Sequence, residues 1–322
     1  MKILLIGVGG FGKNHLRVWN ELNQDLYVAD LSHQSLDKCK IYNINKSKIS
    51  TNFHDFLDKV DAVDIVTPTD FHYDICKECL VAGKDVFVEK PITMYSHEAR
   101  RLIELSDEYN RILQVGHIFR YNPASKYIKN QIDNGALGKI RYLFGHYMGF
   151  KRARTDVGVT QTDSIHFFDL FNFFLGKKPT AVTAVTKDYL GRGMDDTSVV
   201  LLDYGKEMAQ VESGYFPPGN WRDIVIMGDK ASIVSNIVKQ DVALYNNHHK
   251  LENNIWTAID EGVVRPKIIT KEPLYQELRT FLDSVKTRNK PSADGESGFQ
   301  TLKIVEAAYQ SSKKGKKVSI DW

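Results

Sequence analysis

Apolar positions in the first third of the chain alternate between two rhythms. Lys2 to Val8 is a short apolar, β-branched run, Phe11 to Leu22 repeats its apolar residues at helical spacing, and Asp25 to Ala29 returns to strand character. The alternation resumes with a strand over Ala62 to Thr67, a helix over Phe71 to Ala82 stopped by Gly83, and a strand over Asp85 to Val88. A helix after Ser96 and a strand over Ile112 to Val115 follow. Such alternation predicts an α/β Rossmann domain over residues 1–121, a doubly wound parallel sheet with helices on both faces.

From residue 122 to 322 the pattern changes. A helix over Ala124 to Asp133 leads into candidate strands at Lys139 to Met148, Thr180 to Asp188, Ser198 to Tyr204, Glu207 to Tyr215, Ile224 to Met227 and Ala231 to Val234. Short turns such as Asp203-Tyr204-Gly205-Lys206 make this sheet mostly antiparallel, an α+β second domain. A helix over Gln161 to Leu175 interrupts it. Ile165, Phe168, Leu170, Phe171, Phe174 and Leu175 give this helix a broad apolar face, while Thr162, Asp163, His166 and Asp169 recur three or four apart on a polar edge. The chain closes with helices over Tyr275 to Lys286 and Phe299 to Ser311 and a strand over Val318 to Asp321; Glu306 and Tyr309 read as packing residues. There is no internal repeat and no low-complexity linker.

Size and charge narrow the classes. A length of 322 residues suits two domains, and a net charge of +3 gives no basic field for nucleic acid or an acidic membrane. The apolar stretch Ile3 to Ile6 ends in glycines with no cleavage site after it, so it is a strand rather than a secretory signal. No window approaches the roughly 20 apolar residues of a membrane span. The 3 cysteines suit a reducing, cytoplasmic setting. Cys76-Lys77-Glu78-Cys79, with His72 four residues earlier, could in principle offer metal ligands or a redox pair. No second cysteine pair completes a zinc site, so the better reading is small buried helix residues, with no metal.

Candidate chemistry starts at the first turn, Gly7-Val8-Gly9-Gly10-Phe11-Gly12. Gly7, Gly9 and Gly12 stand where a tight turn, close approach to a pyrophosphate and helix–strand packing exclude a Cβ, and the helix opening near Gly10 aims free N–H groups at phosphate. The motif alone is weak, since kinases and methyltransferases carry glycine-rich turns, but here it follows a strand and opens a helix. Asp30 closes the second strand, where a carboxylate accepts ribose hydroxyls and repels a 2′-phosphate, favouring NAD over NADP. Helix capping is the alternative role for Asp30.

Three later stretches make the pattern specific: Thr67-Pro68-Thr69-Asp70-Phe71-His72, Gly83 to Pro91 ending in Glu89-Lys90-Pro91, and Arg120-Tyr121-Asn122-Pro123. Together with Gly7 to His15 they resemble the Gfo/Idh/MocA oxidoreductases, densely over the first half of the chain and loosely over the second. The resemblance implies that Thr67, Pro68 and His72 lie along the cofactor, that Glu89 and Pro91 shape a strand end, and that Arg120 lies near substrate. A salt bridge at the domain junction is the alternative for Arg120.

Lys90, at the crevice where open α/β sheets bind ligands, would hold the hydroxyl oxygen as it becomes a ketone. In the family a histidine completes the set with an aspartate four residues before it. His166 fits, with Asp169 in the usual place after it, but Thr162 stands where that aspartate is expected, leaving Asp163 to orient the ring. The resemblance also implies an open-faced second sheet that pairs subunits into a homodimer or homotetramer. Arg152 and Arg154 in Lys151-Arg152-Ala153-Arg154 are a solvated run or a grip for a substrate phosphate.

The expected activity is reversible hydride transfer between nicotinamide and a ring secondary alcohol of a sugar, sugar phosphate or nucleotide sugar. The same fold acting on a polyol, dihydrodiol, tetrapyrrole or imine, and a non-catalytic NAD-binding sensor, are the alternatives.

Overall fold

Six short strands with buried apolar runs begin the chain. In the computed structural model, which describes residues 1–322, these are β1 (Lys2–Ile6), β2 (Asp25–Ala29), β3 (Ile49–Ser50), β4 (Ala62–Ile65), β5 (Asp85–Val88) and β6 (Leu113–Val115). They form one all-parallel sheet in the order β3-β2-β1-β4-β5-β6, the doubly wound topology expected. Helices α1 (Gly12–Glu21), α2 (His33–Leu36), α3 (His72–Val81) and α4 (Ser96–Glu108) connect the strands. Every residue of β4 and β5 is buried, as a sheet covered on both faces requires.

The division of the chain is not the simple cut at residue 121. Met1–Ile118 and Glu272–Phe299 make one compact unit, and Phe119–Lys271 with Gln300–Trp322 make the other. The returning segment carries α7 (Pro273–Thr287), whose Leu274, Leu278, Phe281 and Leu282 join the core of Leu16, Trp19 and Phe87. Trp19 and Phe281 meet edge to face at 6.5 Å. The amphipathic pattern of α7 is legible in sequence, but the core it serves is not.

In the second unit, α5 (Pro123–Asp133), α6 (Ile165–Leu175) and most of α8 (Gly295–Lys314) accompany strands β7 (Ile140–Gly149), β8 (Ala181–Lys187), β9 (Thr197–Asp203), β10 (Met208–Gly214), β11 (Asn220–Gly228) and β12 (Ser232–Asn236). Two long strands absent from the sequence expectation follow, β13 (Asp241–Glu252) and β14 (Ile255–Val264), and the short β15 (Val318–Ser319) closes the chain. The sheet has 9 strands in the order β14-β13-β12-β11-β7-β10-β9-β8-β15, with β7 and β10 parallel and the other pairs antiparallel. The β13–β14 hairpin lacks apolar alternation because much of it is exposed on both faces. Its turn residues Asn253 (φ 48°) and Asn254 (φ 60°) are in the left-handed region, the geometry of a two-residue hairpin turn.

Alternation along the central strands separates two faces. Leu143, Val182, Ala184, Val200, Leu202, Ala209, Val211, Ile224, Ile226 and Ile233 point inward and pack with Phe167, Phe168 and Phe171 of α6. Tyr142, Phe144, Val185, Val199, Met208 and Val234 occupy the opposite phase, with Val185 left 57% exposed. No helix of the protein is long and apolar enough to cross a membrane.

Candidate active site

The parallel register of the first unit gathers the glycine turn, Asp30 and Glu89 at one edge. Ile6 pairs with Ala29 and Ile65, Ile65 with Val88, and Val88 with Val115. The next residues, Gly7, Asp30, Val66, Glu89 and Gly116, therefore form the row at which the chain leaves the sheet. Gly7 turns there with φ +91°, and a Cβ on it would lie 2.7 Å from the Val66 carbonyl oxygen. A Cβ on Gly12 would lie 2.0 Å from the Gly7 carbonyl, so α1 can start this close to β1 only with glycine. Gly9 and Gly10 have nothing within 4 Å of a built Cβ, which leaves open space against the turn backbone and the start of α1. Phe11 beside them is 43% exposed. This is the cradle that a dinucleotide pyrophosphate fits.

Asp30 organises the turn from its other side. Its carboxylate accepts from Val8 N and from Ser32 N, each at 2.8 Å. Ser32, not Asp30, caps the following helix, accepting from Ser35 N at 3.2 Å. Lys38, which drew no attention in the sequence, donates from Nζ to the Val8 carbonyl at 2.6 Å. Thr67 is half-buried and Pro68 exposed after β4. His72 is buried, with Nδ1 2.8 Å from the Pro91 carbonyl and Nε2 2.9 Å from the Thr67 carbonyl, so it braces two strand-end loops.

Lys90 is half-buried at the Glu-Lys-Pro strand end, ahead of a cis peptide to Pro91. Its backbone N–H donates to Glu89 Oε2 at 3.1 Å. The Glu89 carboxylate rests on Gly116, where a Cβ would come within 2.6 Å of Oε1, and its Oε1 lies 3.3 Å from Nε2 of buried His15. Nδ1 of His15 is 2.8 Å from Asp64 Oδ2, which also accepts from Trp19 Nε1 at 2.6 Å. Burial opposes a charge on His15, but the Asp64 carboxylate, and then Glu89, outweigh it and raise the imidazole to about 10.

Cys76 and Cys79 are fully buried, and burial pushes both thiols up, Cys79 to about 12. No cluster of His, Cys, Asp and Glu suited to a metal ion is present.

The second unit holds the other candidates. Thr160–Ser164 is a π-helical turn, continued by α6, so the helix expected from Gln161 begins with wider spacing. Asp195 pins that turn. It accepts from Thr160 N at 2.8 Å, Thr160 Oγ1 at 2.6 Å and the Tyr309 hydroxyl at 2.8 Å, which gives Tyr309 a polar partner as well as packing. The Thr162 hydroxyl lies 3.2 Å from the Tyr215 hydroxyl.

His166 is buried in a ring cluster, its centroid 4.7 Å from Phe119 and 5.2 Å from Tyr147, stacked nearly parallel to the latter at 7°. Arg222 lies 3.5 Å from the Tyr147 ring centre. Burial, reinforced by the Asp163 carboxylate, pushes the Tyr147 phenol up to about 12.

Asp163 and Arg120 both form ion pairs, and a salt bridge was the alternative reading for Arg120. Asp163, expected to orient His166, forms its ion pair with Lys151, at 2.7 Å. Burial holds that ammonium below its ordinary range although Asp163 pulls the other way. Arg120, expected beside substrate, is buried and forks onto Asp169 of α6, with Nε 2.8 Å and Nη2 2.6 Å from its oxygens. A buried guanidinium requires such a partner, and removing one member of a buried pair costs about 3–5 kcal/mol. Arg152 is exposed, while Arg154 pairs with Asp156 at 2.7 Å and its carbonyl accepts from Arg192. Lys151, Arg192, Tyr147 and Arg222 were not singled out in the sequence. Only Lys151 had a signal, its place in the basic run.

A Rossmann sheet with this glycine turn and a lysine at the exit of its β5 strand defines a nicotinamide-dinucleotide oxidoreductase. Residues 1–117 match the family described as oxidoreductase family, NAD-binding Rossmann fold, and residues 129–320 match its C-terminal alpha/beta domain. The chain belongs to the Gfo/Idh/MocA oxidoreductases. It is 31% identical to UDP-N-acetylglucosamine 3-dehydrogenase of Acidithiobacillus ferrooxidans, covering 94% of each chain. It is 24% identical to inositol 2-dehydrogenase of Rhizobium meliloti, covering 98% of each. A solved levoglucosan dehydrogenase, in complex with NADH and levoglucosan, shares the fold with a TM-score of 0.87, at 19% identity over 100% of both chains.

The buried charge at His15 ties stability to pH. Its folded value of about 10 lies above the ordinary 6.5, so its contribution is complete below 6.5 and is lost as pH rises toward 10. The difference in melting temperature between the protein and a His15→Gln variant is therefore expected to shrink steadily across that interval. A difference that stays constant with pH would show that His15 carries no such charge.

Proposed function

We propose that this oxidoreductase interconverts a ring secondary alcohol and a ketone on a nucleotide sugar or sugar phosphate, with NAD as cofactor. The observation that carries the reading is Lys90, half-buried at the exit of β5 and next in the chain after Glu89, which stands in the same strand-end row as Gly7 of the glycine turn. Oxidation removes one proton and one hydride from the carbinol. Bound NAD supplies the hydride acceptor. Lys90 holds the substrate oxygen through its ammonium and offsets the negative charge that develops on it. His166 takes the hydroxyl proton, its ring held in the Phe119–Tyr147 cluster so that its orientation is set in advance. Asp163 serves this site through Lys151, holding that ammonium on the edge that carries His166.

NAD is favoured over NADP because both oxygens of Asp30 are held in place by backbone N–H groups, Val8 N on one and Ser32 N on the other. A fixed carboxylate suits ribose hydroxyls and repels a 2′-phosphate. An anionic substrate is supported by the cations gathered on neighbouring segments, Lys151, Arg152, Arg154 and Arg192. It is also supported by the likeness to an enzyme named for UDP-N-acetylglucosamine. The outer sheet face, which carries Phe144, Val185, Val199, Met208 and Val234 among Gln210, Glu212 and His146, supports a homodimer or homotetramer built through it, since exposed apolar side chains on an open sheet face are costly to leave in water.

Three measurements check these assignments. Lys90→Met is expected to lower kcat by on the order of 1,000-fold or more while NADH fluorescence titration still shows binding, tighter than for NADPH. Turnover that survives would sink the role given to Lys90. In a spectrophotometric panel of free sugars, sugar phosphates and nucleotide sugars, replacing Arg152 and Arg154 together by Ala is expected to raise KM for the phosphorylated substrate by roughly tenfold or more. An unchanged KM rejects the phosphate grip. Light scattering is expected to show a dimer or tetramer that dissociates when Val185 and Val199, paired across β8 and β9, both become Glu. A species that keeps its mass rejects that face as the interface.

A further inference from the structure

The buried cluster in the first unit lies behind Lys90 and has no part in the chemistry assigned above. His15, in the first turn of α1, is fully buried and meets a carboxylate at each ring nitrogen, Asp64 of β4 at 2.8 Å and Glu89 at 3.3 Å. A neutral imidazole has one N–H and would turn a lone pair toward the second carboxylate, whereas an imidazolium bonds Asp64 through one N–H and faces Glu89 with the other. The walls around the ring are Phe11, edge-on at 5.3 Å, and Phe87 at 5.7 Å. The remaining close polar group is Trp19, whose indole N–H is spent on Asp64. The titratable groups facing His15 are thus Asp64 from β4 and Glu89 from the β5 exit. On its far side Glu89 accepts the backbone N–H of Lys90 at 3.1 Å and is pressed on Gly116, where no larger residue fits.

We propose that His15 is a positioning residue for the reaction: as an imidazolium between Asp64 and Glu89 it keeps Glu89 ionised and fixed, and Glu89 in turn sets the peptide from which the Lys90 side chain departs. This rests on the role given to Lys90. Two carboxylates sharing one dry site do not both ionise without a cation between them, so losing the imidazolium drives a proton onto one of them. A protonated Glu89 is a weaker, differently directed acceptor for the Lys90 N–H. His15 also belongs to α1, the helix that opens from the glycine turn. One buried charge network thereby joins the cofactor turn to the lysine.

The test uses the full-length enzyme with the best ring alcohol from the substrate panel, comparing His15→Gln, Glu89→Gln and the double variant. His15→Gln is expected to lower kcat by roughly 10- to 100-fold, the usual effect of a group supporting a functional residue. KM and NADH affinity should stay within about threefold. The ratio of wild-type to variant kcat should fall as pH is raised toward 10, because the wild-type imidazolium gives up its proton there while the variant has none to lose. The double variant should be no slower than Glu89→Gln alone, since both changes break one chain of contacts.

An unchanged kcat in His15→Gln overturns the proposal. So does a kcat loss that follows a loss of NADH affinity equally at every pH, because that is what a purely structural histidine would give. If His15→Gln does not fold, Glu89→Gln decides: full kcat overturns the proposal, and lowered kcat with intact NADH binding supports it. An inactive Lys90→Met beside a fully active His15→Gln sinks the positioning role alone, whereas an active Lys90→Met sinks the reading of the site and this inference with it.

Discussion

Parallel register in the first sheet is the constraint on which the rest of the molecule's chemistry depends. Ile6, Ala29, Ile65, Val88 and Val115 lie in one cross-strand row, and each strand hands its next residue to the same edge. That row is Gly7, Asp30, Val66, Glu89 and Gly116, held to its neighbours by backbone bonds such as Val66 N to Ile6 O at 2.8 Å and Glu89 N to Ile65 O at 2.9 Å. A one-residue slip in any strand would turn its side chains to the opposite face and shift which residue stands at the exit. The glycines at both ends of the Glu89 neighbourhood follow from the crowding at this edge. Gly7 must pass under the Val66 carbonyl, and Gly116 must leave room for the Glu89 carboxylate.

Buried charge at this edge is balanced locally. Asp64 and Glu89 are acidic residues in or beside all-buried strands, where isolated carboxylates would be strongly disfavoured. Their compensation is His15, with Trp19 donating to the same Asp64 oxygen as His15 and the Lys90 N–H donating to Glu89 Oε2. In the second unit Arg120 and Asp169 solve the same problem with one bidentate pair. These groups are expensive to bury, and they hold a strand end in one case and α6 in the other.

Much of this was legible in the chain itself where a residue type has only one conformational use. The glycine turn, the β–α alternation, Asp30 and the Glu-Lys-Pro strand end each declare themselves locally. What was not legible depends on contacts distant in sequence. Helix α7 reads as an amphipathic helix, yet nothing local says that Phe281 packs on Trp19. The β13–β14 hairpin was missed because its side chains are exposed on both sides, so no alternation marks it, although Asn253 and Asn254 hold its turn. Asp163 was assigned to His166 from α-helical spacing, and the π-turn over Thr160–Ser164 breaks that spacing at the position where it was applied.

The π-turn also bears on the departure at Thr162. A helix start of wider spacing leaves groups that need outside partners, and Asp195 supplies them through Thr160, with Tyr309 holding the same carboxylate. Thr162 then meets the Tyr215 hydroxyl, and Asp163 meets Lys151. Burial lowers the affinity of Lys151 for its proton while Asp163 restores part of it, so the pair keeps a cation where a carboxylate alone would otherwise stand. The edge beside His166 therefore does not carry an uncompensated negative charge. It carries hydroxyls and a paired ammonium, with Arg222 stacked on Tyr147. Such a lining repels an anion less than a lone carboxylate would.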